Sequence, residues 1–292
     1  MFLPLGLVLL LVQQGLPIFQ KDNPHLVLQE KNSSKAPWRN LLNGMDLSGW
    51  DVYIGQPFSD KGELQKEIPA LGLNNDPQKV FSVVTEDGQS ALHITGQHFG
   101  GVSTRDEFEN YHLQLQFKWG KLKWAPKLNA KMDSGVLYHA NGKHGADGGF
   151  WMQSQEYQVQ EGDCGDYWGV AGGTFDVLAK KQNEKEWIYA PNGTLLTFSE
   201  KSPQGRHCIR AANYEKPAGE WNTIDIYCLG GTTVHMINGK VNMVLQNSQR
   251  LVGSGAEPLT KGKIQIQSEG AEVYYRNIRI RPIDKIPAKL LK

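Results

Sequence analysis

The sequence predicts an all-β fold, a two-sheet antiparallel sandwich or jelly roll, and three observations carry that prediction. Short segments alternate apolar and polar side chains with a period of two. Glycine-bearing turn signals separate them at short intervals. No strand–helix alternation, internal repeat or coiled-coil pattern breaks the series. At 292 residues the chain is long enough to bury a proper core, and its 32 glycines suit many tight turns.

Taken in order, Phe2 to Val12 form an apolar run as long as a signal-peptide core and too short to span a bilayer. No charged segment precedes it, and Gly15 is the best cleavage candidate. Residues 1–20 are read as an export signal, which would send the protein to the periplasm or the medium. Residues 21–37 are read as a polar linker, 38–284 as the domain and 285–292 as a tail. Asn43-Gly44 marks a turn before a strand ending near Ile54. Residues 55–79 form an excursion closed by Asn74-Asn75-Asp76-Pro77. That cluster suits either a Ca²⁺ site or a turn whose side chains bond the backbone. Strands follow at about 80–84, 91–95, 101–104 and 111–118. In the last, Tyr111, Leu113, Leu115 and Phe117 share the core face.

A lysine-bearing loop, 121–131, leads to a strand in which Val136 and Tyr138 share one face and Leu137 and His139 the other. The next strand runs through Val159, with a further one near 173–178. Residues 180–220 are loop-rich, with a Pro191-Asn192-Gly193 turn. Strands at 222–228, 233–237 and 241–245 are joined by Leu229-Gly230-Gly231 and a tight Asn238-Gly239 hairpin. Strands at 263–268 and 272–281 close the domain.

Charge is nearly balanced, 31 Lys and Arg against 30 Asp and Glu, which argues against nucleic acid or an acidic membrane surface as main partner. Three cysteines are too few for a disulfide scaffold. Cys228 shares parity with Ile224 and Ile226 and reads as a buried thiol. Cys164 and Cys208 lie in loop-like sequence and are candidates to pair after export. No cysteine or histidine spacing suggests structural zinc.

The chemistry concentrates between Gln153 and Trp168. Tyr157 and Val159 face one way, while Glu156, Gln158 and Gln160 form a wholly polar row on the other. A Gly-spaced acidic loop follows, with Glu161, Asp163 and Asp166, and ends on Tyr167-Trp168. Carboxylates, amides and an aromatic ring in one unit suit a sugar, whose hydroxyls need paired donors and acceptors. A solvated strand face with a turn behind it fits the same residues.

Six ordered pieces strengthen the first reading. They are Leu42-Asn43-Gly44-Met45-Asp46-Leu47-Ser48-Gly49-Trp50, Ser134-Gly135-Val136-Leu137, Glu156-Tyr157-Gln158-Val159, Gly219-Glu220-Trp221-Asn222-Thr223, His235-Met236-Ile237-Asn238-Gly239 and Tyr275-Arg276-Asn277-Ile278-Arg279-Ile280. In this order, across about residues 38–282, the chain resembles the 3-keto-disaccharide hydrolase domain family of secreted bacterial proteins. The resemblance implies a concanavalin-like sandwich with a carbohydrate site on its concave face. It also implies action on glycosides already oxidised at C3 by a separate oxidoreductase. Two positions depart from the family pattern: His139 stands where many relatives carry arginine, and Glu269 stands near a common histidine.

A C3 carbonyl acidifies the C2 proton, so a base can remove it, the C1 oxygen leaves, and water adds to the enone. That chemistry needs a base, an acid and an electrophile for the ketone. Glu156 is the first choice for acid/base, unless it merely pairs with Arg105 or Lys118. His139 and Glu161 are further proton carriers. Gln158, Gln160, Asp163, Trp168, Arg105, Lys118 and His235 are candidates to bind an oligosaccharide or glycoside. His139, His235 and Trp168 each have a structural alternative, as hydrogen-bonding, hairpin and core residues. A divalent metal would polarise the ketone, with Glu156, His139, Glu161 and Asp163 as mixed ligands. Glu156-x-Gln158-x-x-Glu161 also resembles the Glu-x-Asp-x-x-Glu strand of laminarinase-type retaining glycosidases. At odd separation, however, the two glutamates face apart unless a bulge intervenes. A non-catalytic carbohydrate-binding module would use the same fold.

Overall fold

The computed structural model describes residues 36–292, so the proposed signal and most of the linker lie outside the described residues. Alternation builds two antiparallel sheets, as the sequence predicts. The larger, of 12 strands, runs along its main path through Trp187–Tyr189, Gly173–Lys181, Lys240–Val252, Thr232–Ile237, Asn222–Leu229, Tyr111–Lys123, Ala271–Pro282, Gln89–Ile94 and Phe81–Glu86. The smaller, of nine, runs through His207–Cys208, Tyr167–Val170, Gln153–Gln160, Asp133–Asn141, Lys261–Ser268, Gly100–Thr104, Trp50–Ile54 and Gly72–Leu73.

The inward faces make one hydrophobic core. Leu113, Leu115 and Phe117 come from the larger sheet, and Val136, Tyr157 and Val159 from the smaller. Polar side chains stitch the layers together. Ser134 Oγ lies 2.8 Å from Tyr275 Oη, and Tyr157 Oη donates to the Met236 carbonyl at 3.2 Å. Ile286 and Leu290 of the final residues also pack into this core. Among the described residues, no helix is long and apolar enough to cross a membrane.

Local chemistry explains several elements. Asn238 and Gly239 both take positive φ, 49° and 76°, which turns Thr232–Ile237 tightly into Lys240–Val252. At the end of the 55–79 excursion, Asn74 Oδ1 accepts from the Val52 N–H, and Asp76 accepts from Val80 and Phe81. These oxygens therefore serve the backbone, as in the turn reading rather than the Ca²⁺ reading. Cys164, Cys208 and Cys228 are all buried and free. The Cys164–Cys208 pair is not formed, and both thiols pack as small hydrophobes in the core.

One strand departs from simple alternation. Asp133–Asn141 carries an extra residue relative to both neighbours. Tyr138 to Asn141 opposes only Gln155 to Gln153, and Leu137 to Ala140 only Gln265 to Lys263. His139, at φ 54°, sits in this bulge. The extra residue reverses parity, so His139 turns away from the face of Leu137 and into the core, edge-on to the Tyr111 and Tyr138 rings.

Candidate functional site

The polar row of Gln153–Gln160 forms the floor of a hollow of about 230 Å³ on the outer face of the smaller sheet. Register brings its neighbours together. Glu156 lies opposite Leu137 and Trp168, Gln158 opposite Gly135, and Gln160 opposite Asp133. Gln267 and Glu269 enter from the end of Lys261–Ser268, Lys127 from the preceding lysine loop, Asp147 and Trp151 from the 142–152 loop, and Arg206 from the 199–206 loop. Gly135 provides the space. A Cβ there would stand 2.3 Å from both Glu156 Oε1 and Gln267 Oε1, so these two oxygens meet above a residue without a side chain.

Three carboxyl groups in this small volume all have raised pKa values. Burial drives Glu156 well above the usual range, the charges of Glu269 and Asp133 add to this, and Arg206 opposes it. Burial and Asp133 lift Glu269 to about 8 against the pull of Lys127, whose Nζ lies 2.9 Å from Glu269 Oε1. Asp133 is also raised, first by burial. It is held by Lys127 and by the Gln160 and Gln158 amides at 2.7 and 3.2 Å. Across the mouth, Arg206 Nη1 meets Asp147 Oδ1 at 3.0 Å.

Of the residues expected in the site, Glu156, Gln158, Gln160 and Trp168 are brought together. His207 stacks on one face of Trp168 at 4.2 Å, leaving at most the other face for a ring. The rest lie elsewhere. His139 is buried among aromatic rings, and burial pushes its imidazole down to about 3. His235 occupies the core because the inner face of its strand meets the other sheet. Its Nε2 accepts from Tyr138 Oη at 2.8 Å, and Nδ1 donates to the Gly165 carbonyl at 3.2 Å. Burial lowers His235 to about 4. Glu161 lies exposed on the turn after the floor strand, while Asp163 pairs with Lys131 and Arg210. Arg105 binds Asp51 at 2.9 Å, and Lys118 is held by Glu86 and Asp87 on the larger sheet. Neither cation reaches Glu156. Glu156, His139, Glu161 and Asp163 thus lie in separate places and form no common donor set. Among the described residues no group of three or more His, Cys, Asp or Glu is placed to hold a metal ion.

The residues missed by sequence reasoning are Lys127, Asp133, Asp147, Trp151, Arg206 and Gln267, and Glu269, singled out there only as a departure from the family pattern, also lines the hollow. Gln267 carried a signal, because Gln265 and Gln267 form a polar row resembling that of the floor strand. Asp147, Trp151 and Arg206 reach the site through loops and carried none.

The buried groups predict a stability profile. Below about pH 6.5 the unfolded chain protonates His139 and His235 while the folded chain does not, so stability contributed by these residues falls with pH. Glu156 and Glu269 do the reverse. Folded they hold protons, and unfolded they release them above about pH 4.5. The two pairs oppose each other between about pH 4.5 and 6.5, where their contributions largely cancel. Of these four groups only the carboxyls act from about pH 6.5 to about 8, the value Glu269 reaches, and stability falls as pH rises. Urea midpoints across this range check it, and a rise toward about pH 8 would contradict it.

Residues 37–281 match the profile of the 3-keto-alpha-glucoside-1,2-lyase-like domain. No curated protein matches the sequence. Similar solved structures include two Parabacteroides distasonis proteins provisionally named glycosyl hydrolases. One is 19% identical, with 88% of this chain and 99% of that one covered and a TM-score of 0.45. The other is 21% identical over 70% and 91%, with a TM-score of 0.42. The Bacillus subtilis carbohydrate-binding module CBM66 is 5% identical over 69% and 91%, with a TM-score of 0.40.

Proposed function

Because the chain belongs to the 3-keto-alpha-glucoside-1,2-lyase-like family, a carbohydrate-active family, we propose that it cleaves 3-keto-glycosides by elimination and hydration. The observation that carries this reading is the pair Glu156 and Glu269, two carboxyl groups with raised pKa values in one amide-lined hollow. Glu269 in its ionised form, which gains population as pH rises toward about 8, takes the C2 proton that the C3 ketone acidifies, oriented by Lys127. Protonated Glu156 gives its proton to the departing C1 oxygen. Water then adds across the enone, its hydroxyl to C1 and a proton to C2, which balances as net hydrolysis. Gln158, Gln160 and Gln267 bind ring hydroxyls, and Trp151 and Trp168 form the walls. The apolar leader suits export, so that the reaction takes place outside the cytoplasm.

The laminarinase-type reading takes Glu161 as its second carboxylate, and Glu161 lies exposed on the turn after the floor strand, outside the residues that line the hollow. Incubation with a 3-keto-disaccharide in D₂O tests the proposal. Sugar release with deuterium at C2 of the keto-sugar is expected, with no release from the unoxidised disaccharide. Equal cleavage of the unoxidised disaccharide would overturn it.

A further inference from the structure

Resting on the reading of the hollow as a pyranoside site, we propose that it takes uncharged or amino-bearing pyranosides and rejects uronic acids and sugar phosphates, with Asp147 setting the choice. Two cationic side chains line the hollow, and both are already engaged. Lys127 lies between Asp133 and Glu269, and Arg206 is held by Asp147 at 3.0 Å. Against them stand four carboxyl groups, Asp133, Asp147, Glu156 and Glu269. Each cation thus has a carboxylate beside it, so an anionic substituent would have to compete with Asp147 for Arg206 and would stand close to the Asp133 and Asp147 charges that already lift Glu156 and Glu269.

A second, independent observation points the same way. Gln158 donates its amide N–H to Asp133, which fixes its orientation and leaves buried Oε1 without a donor. Gln267 Oε1 is likewise buried and unpartnered. Both are acceptors and are completed by a ligand that brings hydrogens. A hydroxyl or an ammonium does so, whereas a carboxylate or phosphate dianion brings only further acceptors.

Asp147 is the one carboxylate at the mouth whose task is to occupy a guanidinium. Removing its charge leaves Arg206 facing the hollow as a planar donor fork matched to carboxylates. The test measures binding of methyl glucoside, methyl 2-amino-2-deoxyglucoside and methyl glucuronide by calorimetry at about pH 7 to the wild type, Asp147→Asn and Arg206→Gln. These sugars are unoxidised, so binding is read without turnover. The wild type is expected to bind the glucuronide at least about tenfold more weakly than the other two. Asp147→Asn should narrow that gap by about tenfold, while Arg206→Gln leaves it as wide as in the wild type.

Equal wild-type affinity for glucuronide and glucoside overturns the proposal, and this result does not require either variant to fold. A folded Asp147→Asn protein with an unchanged ratio overturns the role of Asp147. Failure to cleave 3-keto-glycosides with the ratio intact sinks the elimination reading and supports this one. Absence of all pyranoside binding sinks both.

Discussion

Replacing Glu156 by glutamine should reduce turnover of a 3-keto-disaccharide by about 10²–10⁴-fold while leaving the fold and pyranoside binding nearly intact. The carboxyl group sits at 6% exposure above Gly135, beside Gln267, and holds its proton under ordinary conditions because burial and two neighbouring acids make ionisation costly. An amide reproduces the shape and neutrality of that acid but has no proton to give to a leaving oxygen. Binding should therefore change only a few-fold, and the alkaline loss of stability should lessen, since one of the raised carboxyls is gone. Single-turnover kinetics with parallel binding measurements decide the matter. Unchanged turnover would remove Glu156 from the chemistry, and retained binding with no catalysis in the parent would favour a plain sugar-binding module.

Lys127→Met should cost about 3–5 kcal/mol of stability near pH 8, because it strips the cation from two buried acids. Asp133 is 2% exposed and Glu269 lies 2.9 Å from the ammonium, and Lys127 pulls both pKa values down against the cost of burial. Without Lys127 each carboxyl moves further up, so the folded chain holds protons that the unfolded chain releases. The penalty must then shrink as pH falls toward about 5 and widen as it rises. Lys127→Arg, which restores a charge, should recover most of the loss. Urea unfolding at both pH values checks this, and a penalty that does not change with pH would show that Lys127 matters only through packing.

Much of the fold was legible because a period of two survives in most strands. Tyr157 and Val159 point inward and Glu156, Gln158 and Gln160 outward as alternation requires, and Asn238-Gly239 makes the hairpin its dipeptide announces. The site was half legible for the same reason, since its floor is one strand. Parity failed at His139, where one extra residue turns the imidazole inward. Parity held for His235 but pointed to the wrong place, because its inner face meets the opposing sheet and not a solvent-facing hollow. The walls were not legible. Asp147, Trp151 and Arg206 meet through long-range folding of irregular chain, and nothing local in their neighbourhoods encodes the 3.0 Å approach of Arg206 to Asp147.

The bulge at His139 also separates two inheritances within one strand. Upstream, Asp133 to Leu137 are locked in step with the acids and amides of the floor; downstream, the chain departs into the segment that bears Asp147 and Trp151. A length change in that departing segment is absorbed where the pairing has already slipped, without moving Asp133 or Gly135 out of line. The rim can therefore be rebuilt in length while the acids and amides of the floor keep their register.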